Sequence, residues 1–257
     1  TNMLKVILLV FLLLFLGLVS WSRKLFTRPT KAFWELPCDE HSGGFSVRYH
    51  REDYLRFFRS LGEAHWLTFR TSRVIAGVIF VLRDNPRAWF IGDFRTAVSH
   101  RGRRLGLRLL LRALPWAFLK CSKMYGLIMG DQKPKYLSLL NLLLTFTRVR
   151  FVVLPVSEAH QFATVVNRYS SLQCLDRRHV KDIVIDGKPL NIAHLLPDER
   201  IAEGKVELSR LQKPPSHFMA MLLPNEQYPT NPLFSGFLVH SGFHSSESFD
   251  WVHSGDL

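Results

Sequence analysis

The sequence predicts an α+β fold: a mixed, mostly antiparallel sheet flanked by helices, with an N-terminal transmembrane helix. Two observations predict this class. Strand-like and helical segments alternate over residues 45–157, and the first three strand-like segments follow each other closely enough to form an antiparallel meander. An uncharged apolar run near the N-terminus, with its flanks, approaches the length of about 17 residues that a spanning helix needs.

The apolar run covers residues 6–19 and reads VILLVFLLLFLGLV. A cleaved signal peptide needs an A-x-A-like pattern of small residues at its cleavage site, and Leu18, Val19 and Ser20 followed by Trp21 make a poor one. A buried core helix normally has a polar stripe, which this run lacks. We therefore predict a membrane anchor over residues 4–22. Because four basic residues follow the run and one precedes it, the bulk of the chain is expected to face the cytoplasm.

Three further parts follow the anchor. A basic linker over residues 23–44 contains two prolines and two glycines. Residues 45–157 form the predicted α+β domain, and residues 158–257 form a β-rich C-terminal extension without an assigned role. In that extension, Asp186 and Gly187 separate two short apolar runs, which predicts a hairpin.

Hydrophobic periodicity predicts the elements of the domain. In chain order they are a helix at 52–61, strands at 65–70, 74–82 and 88–98, a helix at 105–119, a strand at 126–129, a helix at 136–146 and a strand at 149–156.

The charge balance favours an anionic partner. There are 34 Lys and Arg residues against 21 Asp and Glu residues, a formal net charge of +13. A phospholipid surface, a phosphorylated cofactor or nucleic acid would suit this excess, and so would a simple solvated basic face. Nucleic acid is disfavoured because no recognised nucleic-acid motif is found. The three cysteines are scattered without metal-ligand spacing, so no metal site and no disulfide framework are predicted.

The passage from Trp89 to Leu110 is the most informative, since a predicted strand passes through a basic loop directly into a helix. The first N–H groups of a helix lack intrahelical partners, and its dipole is positive at that end. Glycine lets a phosphate approach the backbone, and the arginines of the loop add charge-assisted donors. We therefore predict an anion site; a basic loop that merely precedes an ordinary helix is the alternative.

The loop 101–106 resembles motif A of the GNAT superfamily of acyl-CoA-dependent N-acyltransferases, Arg/Gln-x-x-Gly-x-Gly/Ala. Arg101 matches the first position and Gly106 the last, whereas Arg104 replaces the family's glycine at the fourth. The resemblance implies acetyl-CoA or another acyl-CoA as co-substrate. Its pyrophosphate would be bound by Arg101, Gly102, Arg103, Arg104, Leu105 and Gly106. Its pantetheine arm would be held by main-chain groups of Thr96, Ala97 and Val98.

The same resemblance implies two catalytic candidates. Family members often have an acidic base on the strand before motif A, where this chain has Asp93; an ion pair with a neighbouring arginine such as Arg95 is the alternative. The general acid is commonly a tyrosine on the helix after the fifth strand. Tyr136 begins that predicted helix, although the family's tyrosine usually lies about a turn further in. The alternative is that Tyr136 only anchors the helix.

The expected function is acyl-CoA-dependent transfer of an acetyl or other acyl group to an amine near a membrane. A catalytically degenerate GNAT-fold binding or scaffolding module is the alternative, favoured by the departures from the family pattern at the glycine and tyrosine positions.

Overall fold

The structure is a computed structural model that describes residues 2–24, 26–27, 31–34, 36, 40–42, 45–48, 54–130, 143–175, 182–185, 188–198, 205–211, 214–244, 246–252 and 254. The helices in these ranges are α1 (Asn2–Lys24), α2 (Lys31–Trp34), α3 (Tyr54–Leu61), α4 (Leu105–Lys120) and α5 (Ala159–Val165). The strands are β1 (Phe26–Thr27), β2 (Glu40–Ser42), β3 (Phe45–Arg48), β4 (Glu63–Arg70), β5 (Val74–Asp84), β6 (Arg87–Thr96), β7 (Met124–Met129), β8 (Thr145–Pro155), β9 (Gln173–Leu175), β10 (Asp182–Ile185), β11 (Lys188–Leu190), β12 (Ile192–Leu196), β13 (Lys205–Glu207), β14 (His217–Leu222) and β15 (Phe234–Ser241).

Eleven of the described strands form one sheet in the order β1-β4-β5-β6-β7-β15-β8-β14-β12-β9-β13. Neighbours in this sheet pair antiparallel, except that β6 with β7 and β12 with β14 run parallel. The other four described strands form a second sheet in the order β11-β10-β3-β2. The predicted mixed, mostly antiparallel sheet flanked by helices is thus confirmed.

Helices cover both faces of the main sheet. One face carries a continuous apolar cluster in which Phe57 and Phe58 of α3 pack with residues from β5 to β14. Because side chains alternate along a strand, the intervening residues face the other side. There they form two separate clusters, one under α4 around Leu109 and Trp116, and one under α5 around Phe162. The site described below lies beside the cluster under α4, where β6 and β7 continue beyond their described pairing.

The predicted meander is confirmed. β4 pairs with β5 across the loop 71–73, and β5 pairs with β6 across the turn at Asn85 and Pro86. The predicted helix at 105–119 is α4, and the predicted hairpin in the extension is β10 with β11, where Ile185 lies opposite Lys188. These elements arise from short-range patterns, which explains why the sequence predicts them.

The predicted helix at 136–146 needs a correction at its end. Residues 131–142 lie outside the described ranges, but Thr145 and Phe146 are the first residues of β8 rather than the end of a helix. The physical reason is a partner that is remote in sequence, since Phe146 lies opposite Val239 of β15. Pairing with β15 therefore begins the strand four residues earlier than the predicted start at Val149.

Residues assigned to the C-terminal extension contribute to the main sheet. β15 lies between β7 and β8 and pairs antiparallel with both, with Leu238 opposite Leu127 and Thr147. Its Gly236 fits tightly, because a Cβ there would come within 2.6 Å of the carbonyl oxygen of Ile128. The sheet therefore does not end at the predicted boundary at residue 157.

Helix α1 is long and apolar. Its segment Lys5–Ser22 has a mean hydropathy of 2.4 and is almost entirely exposed. Only its end packs on the domain, where the Ser22 hydroxyl donates a 2.7 Å hydrogen bond to the carbonyl oxygen of Arg112 in α4. By length and composition α1 could cross a membrane, and its insertion stays a prediction.

A buried arginine attaches the C-terminal turn to the sheet. Arg168 forms a salt bridge with Glu226, at 2.8 Å between Nε and Oε1. Its Nη1 donates to the carbonyl oxygens of Val252 at 2.6 Å and Asp250 at 3.1 Å, and its Nη2 donates to the carbonyl oxygen of Met221. One guanidinium thus joins three segments of the chain.

Arg168→Met is expected to lower the free energy of unfolding by about 3–5 kcal/mol, because Glu226 would keep its charge in a largely buried site without its cation. Denaturant unfolding of the full chain in detergent measures this. The matched control is Arg210→Met, which breaks an exposed Arg–Glu pair and should change stability by less than about 1 kcal/mol. Equal effects of the two variants would contradict the assigned role of Arg168.

Candidate active site

A gap opens between two parallel strands of the main sheet. The described pairing of β6 with β7 consists of Trp89 opposite Met124 and Phe90 opposite Tyr125. β6 then continues to Thr96 and β7 to Met129, and β7 stays paired with β15 on its other edge. Backbone groups on the facing edges of β6 and β7 are therefore directed into a space that an extended ligand could enter.

Gly126 marks the start of the gap. A Cβ at this position would lie 2.5 Å from the carbonyl oxygen of Ile91, closer than any real side-chain atom comes. The glycine lets β7 pass β6 at short range before the two strands separate. A side chain here would force the strands apart at their last point of contact.

A β-bulge shapes the β6 edge of the gap. Gly77 lies opposite Arg95 and Ile79 opposite Gly92, so that Asp93 and Phe94 together oppose one residue of β5. Asp93 has a φ of 51°, in the left-handed region that aspartate tolerates better than most residues. The bulge interrupts the regular alternation of faces that the sequence predicts for this strand.

Asp93 is engaged by Arg95. The Nε and Nη2 atoms of Arg95 donate to Oδ1 and Oδ2 of Asp93 at 3.0 and 3.2 Å, and the two side chains are 1% and 3% exposed. Both carboxylate oxygens thus accept charge-assisted hydrogen bonds. This geometry favours the ion-pair interpretation of Asp93, and its role as a catalytic base stays a prediction.

Arg95 also binds the chain at the end of α2. Its Nη1 donates to the carbonyl oxygens of Trp34 at 2.9 Å and Leu36 at 3.2 Å, and its guanidinium lies over the rings of Phe33 and Trp34. Hydrogen bonds from Arg95 therefore hold the end of α2 and the chain after it against the bulge. The predicted linker over 23–44 thus contributes to the structure around the site.

The basic loop ends at an uncapped helix N-terminus. Arg101, Arg103 and Arg104 are exposed, α4 has no acidic residue in its first turn, and no side chain caps it. The N–H of Arg108 donates to the carbonyl oxygen of Arg104 at 3.0 Å, so the N–H groups of residues 105–107 precede the helical ladder. These donors and arginines fit an anionic group.

Arg104 adopts an unusual backbone conformation. Its φ of 56° and ψ of 29° are left-handed, a region where glycine has no steric cost and other residues rarely lie. The family's glycine stands at this position of the motif. The conformation expected of a glycine is therefore kept although the residue is arginine, with Gly102 also at a positive φ of 79°.

The three residues predicted to hold a pantetheine arm differ in whether their backbone N–H and carbonyl groups already form hydrogen bonds. The N–H of Ala97 donates to Ile75 and its carbonyl accepts from His100, both at 2.8 Å, and the Val98 carbonyl accepts from Arg101 at 3.2 Å. Because Ala97 directs its N–H to β5, the alternation along the strand directs the backbone of Thr96 towards the gap. Thr96 is thus the best placed of the three.

Phe94 is a site residue that the sequence analysis did not single out. It is exposed, and a Cβ on Gly106 would lie 3.1 Å from its Cδ1 atom. The ring therefore lies against the first turn of α4 and forms an apolar edge between the basic loop and the gap. No sequence signal identifies it, since its direction depends on the bulge.

The predicted general acid, Tyr136, is not among the residues that the structure describes. Tyr125 is buried, and its hydroxyl accepts a hydrogen bond from Nη1 of Arg83 at 3.1 Å. Its ring packs against Phe90 and Trp251 on the face opposite α4, so it is not directed towards the basic loop.

Residues 30–133 match the family model described as Acetyltransferase (GNAT) family. These residues are a GNAT-family domain. The resemblance inferred from the loop 101–106 is confirmed, and both the loop and the gap between β6 and β7 lie within the matched residues. The GNAT family in general uses acetyl-CoA as co-substrate.

Two solved structures are similar to this chain. A protein of Thermoplasma acidophilum assigned as an acetyltransferase is 11% identical, with a TM-score of 0.42, and the match covers 71% of this chain and 79% of that one. A protein of Pyrococcus horikoshii with the same assignment is 10% identical, with a TM-score of 0.39, covering 84% and 95%. No curated protein matches the chain in sequence.

Asp93→Asn is expected to lower the melting temperature and leave acyl transfer per folded molecule nearly unchanged. Asparagine tolerates the positive φ, but the buried Arg95 loses its counter-charge, which costs about 3–5 kcal/mol. Melting temperature and turnover are measured on the same sample. The control is Asp84→Asn, whose carboxylate is exposed. A fall in turnover of about 10²-fold without destabilisation would instead assign Asp93 as the base.

Proposed function

We propose that this protein is an acyl-CoA-dependent N-acyltransferase that transfers an acetyl or other acyl group to an amine beside a membrane. The main support is the gap between β6 and β7, which opens next to the uncapped basic N-terminus of α4 inside the GNAT-family domain. α1 holds the chain in the membrane, and the basic residues after α1 favour a cytoplasmic position for the domain.

The diphosphate of acyl-CoA would be bound at the start of α4. The N–H groups of Leu105, Gly106 and Leu107 are free of the helical ladder, and Arg101 and Arg103 add positive charge. The backbone of Thr96 would pair with the pantetheine arm in the manner of an added strand, since its N–H and carbonyl are directed towards the gap. Phe94 would cover the apolar side of that arm.

Acyl-CoA supplies the thioester whose carbonyl carbon is attacked. The amine nitrogen forms the new bond to carbon, the carbon–sulfur bond breaks, and the proton lost by nitrogen is matched by one gained by the thiolate. The described residues contribute by holding the thioester in the gap and excluding water, which lowers the entropic cost of reaction. The carboxylate of Asp93 is occupied by Arg95, so no proton transfer is assigned to it.

A GNAT-fold binding module without turnover is the second candidate. Two observations favour it: Arg104 replaces the motif's glycine, and the acidic residue before the motif is held in a buried ion pair. Such a module would still bind acyl-CoA at the loop. Release of free thiol from acetyl-CoA and from longer acyl-CoAs in the presence of amines distinguishes the two candidates.

Gly106→Val is expected to weaken acyl-CoA binding at least about tenfold. The new side chain would displace the Phe94 ring or occupy the space beside the free N–H groups, so a ligand phosphate could not approach them. Calorimetric titration with acetyl-CoA measures the affinity. Gly17→Val is the matched control, because it places the same side chain in a helix where a Cβ meets nothing within 4 Å. Unchanged affinity in folded Gly106→Val would locate binding elsewhere.

The full chain is expected to sediment with membranes and to remain there in high salt, because salt screens charge but does not weaken apolar insertion. Replacing Leu12 and Leu13 with arginine should move a large fraction to the soluble phase, since each arginine costs about 2.5–3.5 kcal/mol at the centre of a spanning helix. Protease added to the cytoplasmic side should digest the domain. A full-length chain found in the soluble fraction would overturn the anchoring.

A further inference from the structure

The apolar helix α1 reaches the domain without a spacer. Its apolar segment Lys5–Ser22 ends where the Ser22 hydroxyl contacts the carbonyl oxygens of Arg112 and Ala113, at 2.7 and 3.4 Å. Eighteen residues span about 27 Å, slightly less than the hydrocarbon core of about 30 Å. A helix of this length can cross only if nearly all of it, up to the contact with α4, is used. α4 must then lie at the membrane surface.

The outward side of α4 has a composition suited to that position. Arg108, Leu111, Phe118 and Leu119 are exposed, and their spacing places them on one side of the helix. We name these four residues the outer face of α4. An apolar stripe beside a basic residue is typical of helices that lie in the interface of a bilayer.

Exposed apolar side chains concentrate in this part of the molecule. Among the described residues outside α1, the exposed large apolar side chains are Phe94, Val98, Leu111, Phe118, Leu119, Leu143 and Val165. Five of these seven lie in the stretch from Phe94 to Leu119, which runs from the end of β6 through the basic loop into α4. A cluster of exposed apolar side chains usually marks an interaction surface, and this one adjoins the end of α1.

The charge of the same stretch is entirely positive. Residues 94–130 contain no aspartate or glutamate and eight lysine or arginine residues. Arg95, Lys120 and Lys123 form salt bridges with carboxylates outside this stretch, and the other five are Arg101, Arg103, Arg104, Arg108 and Arg112. Arg112 lies over the ring of Trp21, at 6.0 Å from its guanidinium carbon to the ring centroid, so one of these charges adjoins the end of α1. Anionic headgroups attract such clusters, whereas a basic protein partner would be repelled.

We propose that the outer face of α4 lies in the headgroup region of the membrane that α1 enters, with Leu111, Phe118 and Leu119 directed into the acyl boundary and Arg108 against lipid phosphates. The proposal rests on the anchoring by α1 stated above and adds a second contact to it. The domain is then held at a fixed orientation on the bilayer rather than tethered loosely. Arg104, where the basic loop enters α4, lies one helical turn from Arg108, so the anion site would open beside the headgroups.

The test places an environment-sensitive fluorophore at single positions of the full chain in vesicles of phosphatidylcholine and phosphatidylglycerol. Cys38→Ser and Cys121→Ser remove two native thiols, and Cys174 is buried. Labels are attached at Leu119→Cys on the outer face, Phe11→Cys in α1 and Arg59→Cys on α3, which packs on the opposite face of the sheet. Lipids with a nitroxide on the acyl chain quench any label that lies in the bilayer.

Quenching at Phe11 and Leu119, several-fold stronger than at Arg59, supports the proposal. Quenching at Phe11 with Leu119 behaving like Arg59 overturns it and leaves the anchoring intact. Absence of quenching at Phe11 overturns both. A Leu119 label that is shielded from water but not quenched by lipid indicates a protein on this face and also overturns the proposal.

A second variant separates contact from mere proximity. Leu111→Glu with Phe118→Glu should reduce quenching at Leu119 several-fold, because carboxylates are repelled by anionic lipid. Val165→Glu, an equivalent change at an exposed position on α5, should leave it unchanged. Equal quenching in all three proteins would mean that the outer face makes no contact of its own.

Discussion

The buried guanidinium of Arg95 is the interaction on which the shape of the site depends. It binds both oxygens of Asp93 and the carbonyl oxygens of Trp34 and Leu36, so a single charge fixes the bulge and the chain at the end of α2. The bulge in turn directs Phe94 against the first turn of α4. Without it β6 would continue as a regular strand, and the edge of the gap would have a different set of side chains.

The arrangement of the core explains why a gap can exist in the middle of a sheet. One face has a continuous apolar cluster that includes Trp251 and Phe151, and this layer holds the two halves together. On the other face the clusters under α4 and α5 are separate. The cluster under α4 includes Met124 at the start of β7, but Ile128 further along β7 belongs to neither cluster, so β6 and β7 can separate beyond Met124 while the apolar layer on the opposite face stays continuous. One face of the sheet thus holds its two halves together, and the other face leaves room for a ligand to enter the gap.

The features that the sequence predicts correctly are those that short-range sequence patterns determine. The meander, α4 and the basic loop follow from periodicity and from glycine and arginine in consecutive positions, and all three are present. The pairing of Asp93 with Arg95 was one of two readings that the sequence left open. The bulge, the exposure of Phe94 and the position of β15 depend on partners that are distant in sequence, so no local pattern contains them. The local sequence pattern predicts a helix at Thr145 and Phe146, and these residues form a strand because Phe146 pairs with Val239 of β15.

The position of β15 also determines the order in which the molecule can be completed. β15 pairs with β7, yet its last residue follows the last residue of β7 by 112 positions, from 129 to 241. At translation rates of about 5–20 residues per second, β7 waits roughly 6–22 s for this neighbour. During that interval α1 has already left the ribosome, while one edge of β7 and, until β14 is made, both edges of β8 lack their neighbouring strands. Synthesis of α1 and closure of the sheet are therefore separated in time, and a chaperone acting between them would find its binding surface at those unpaired edges.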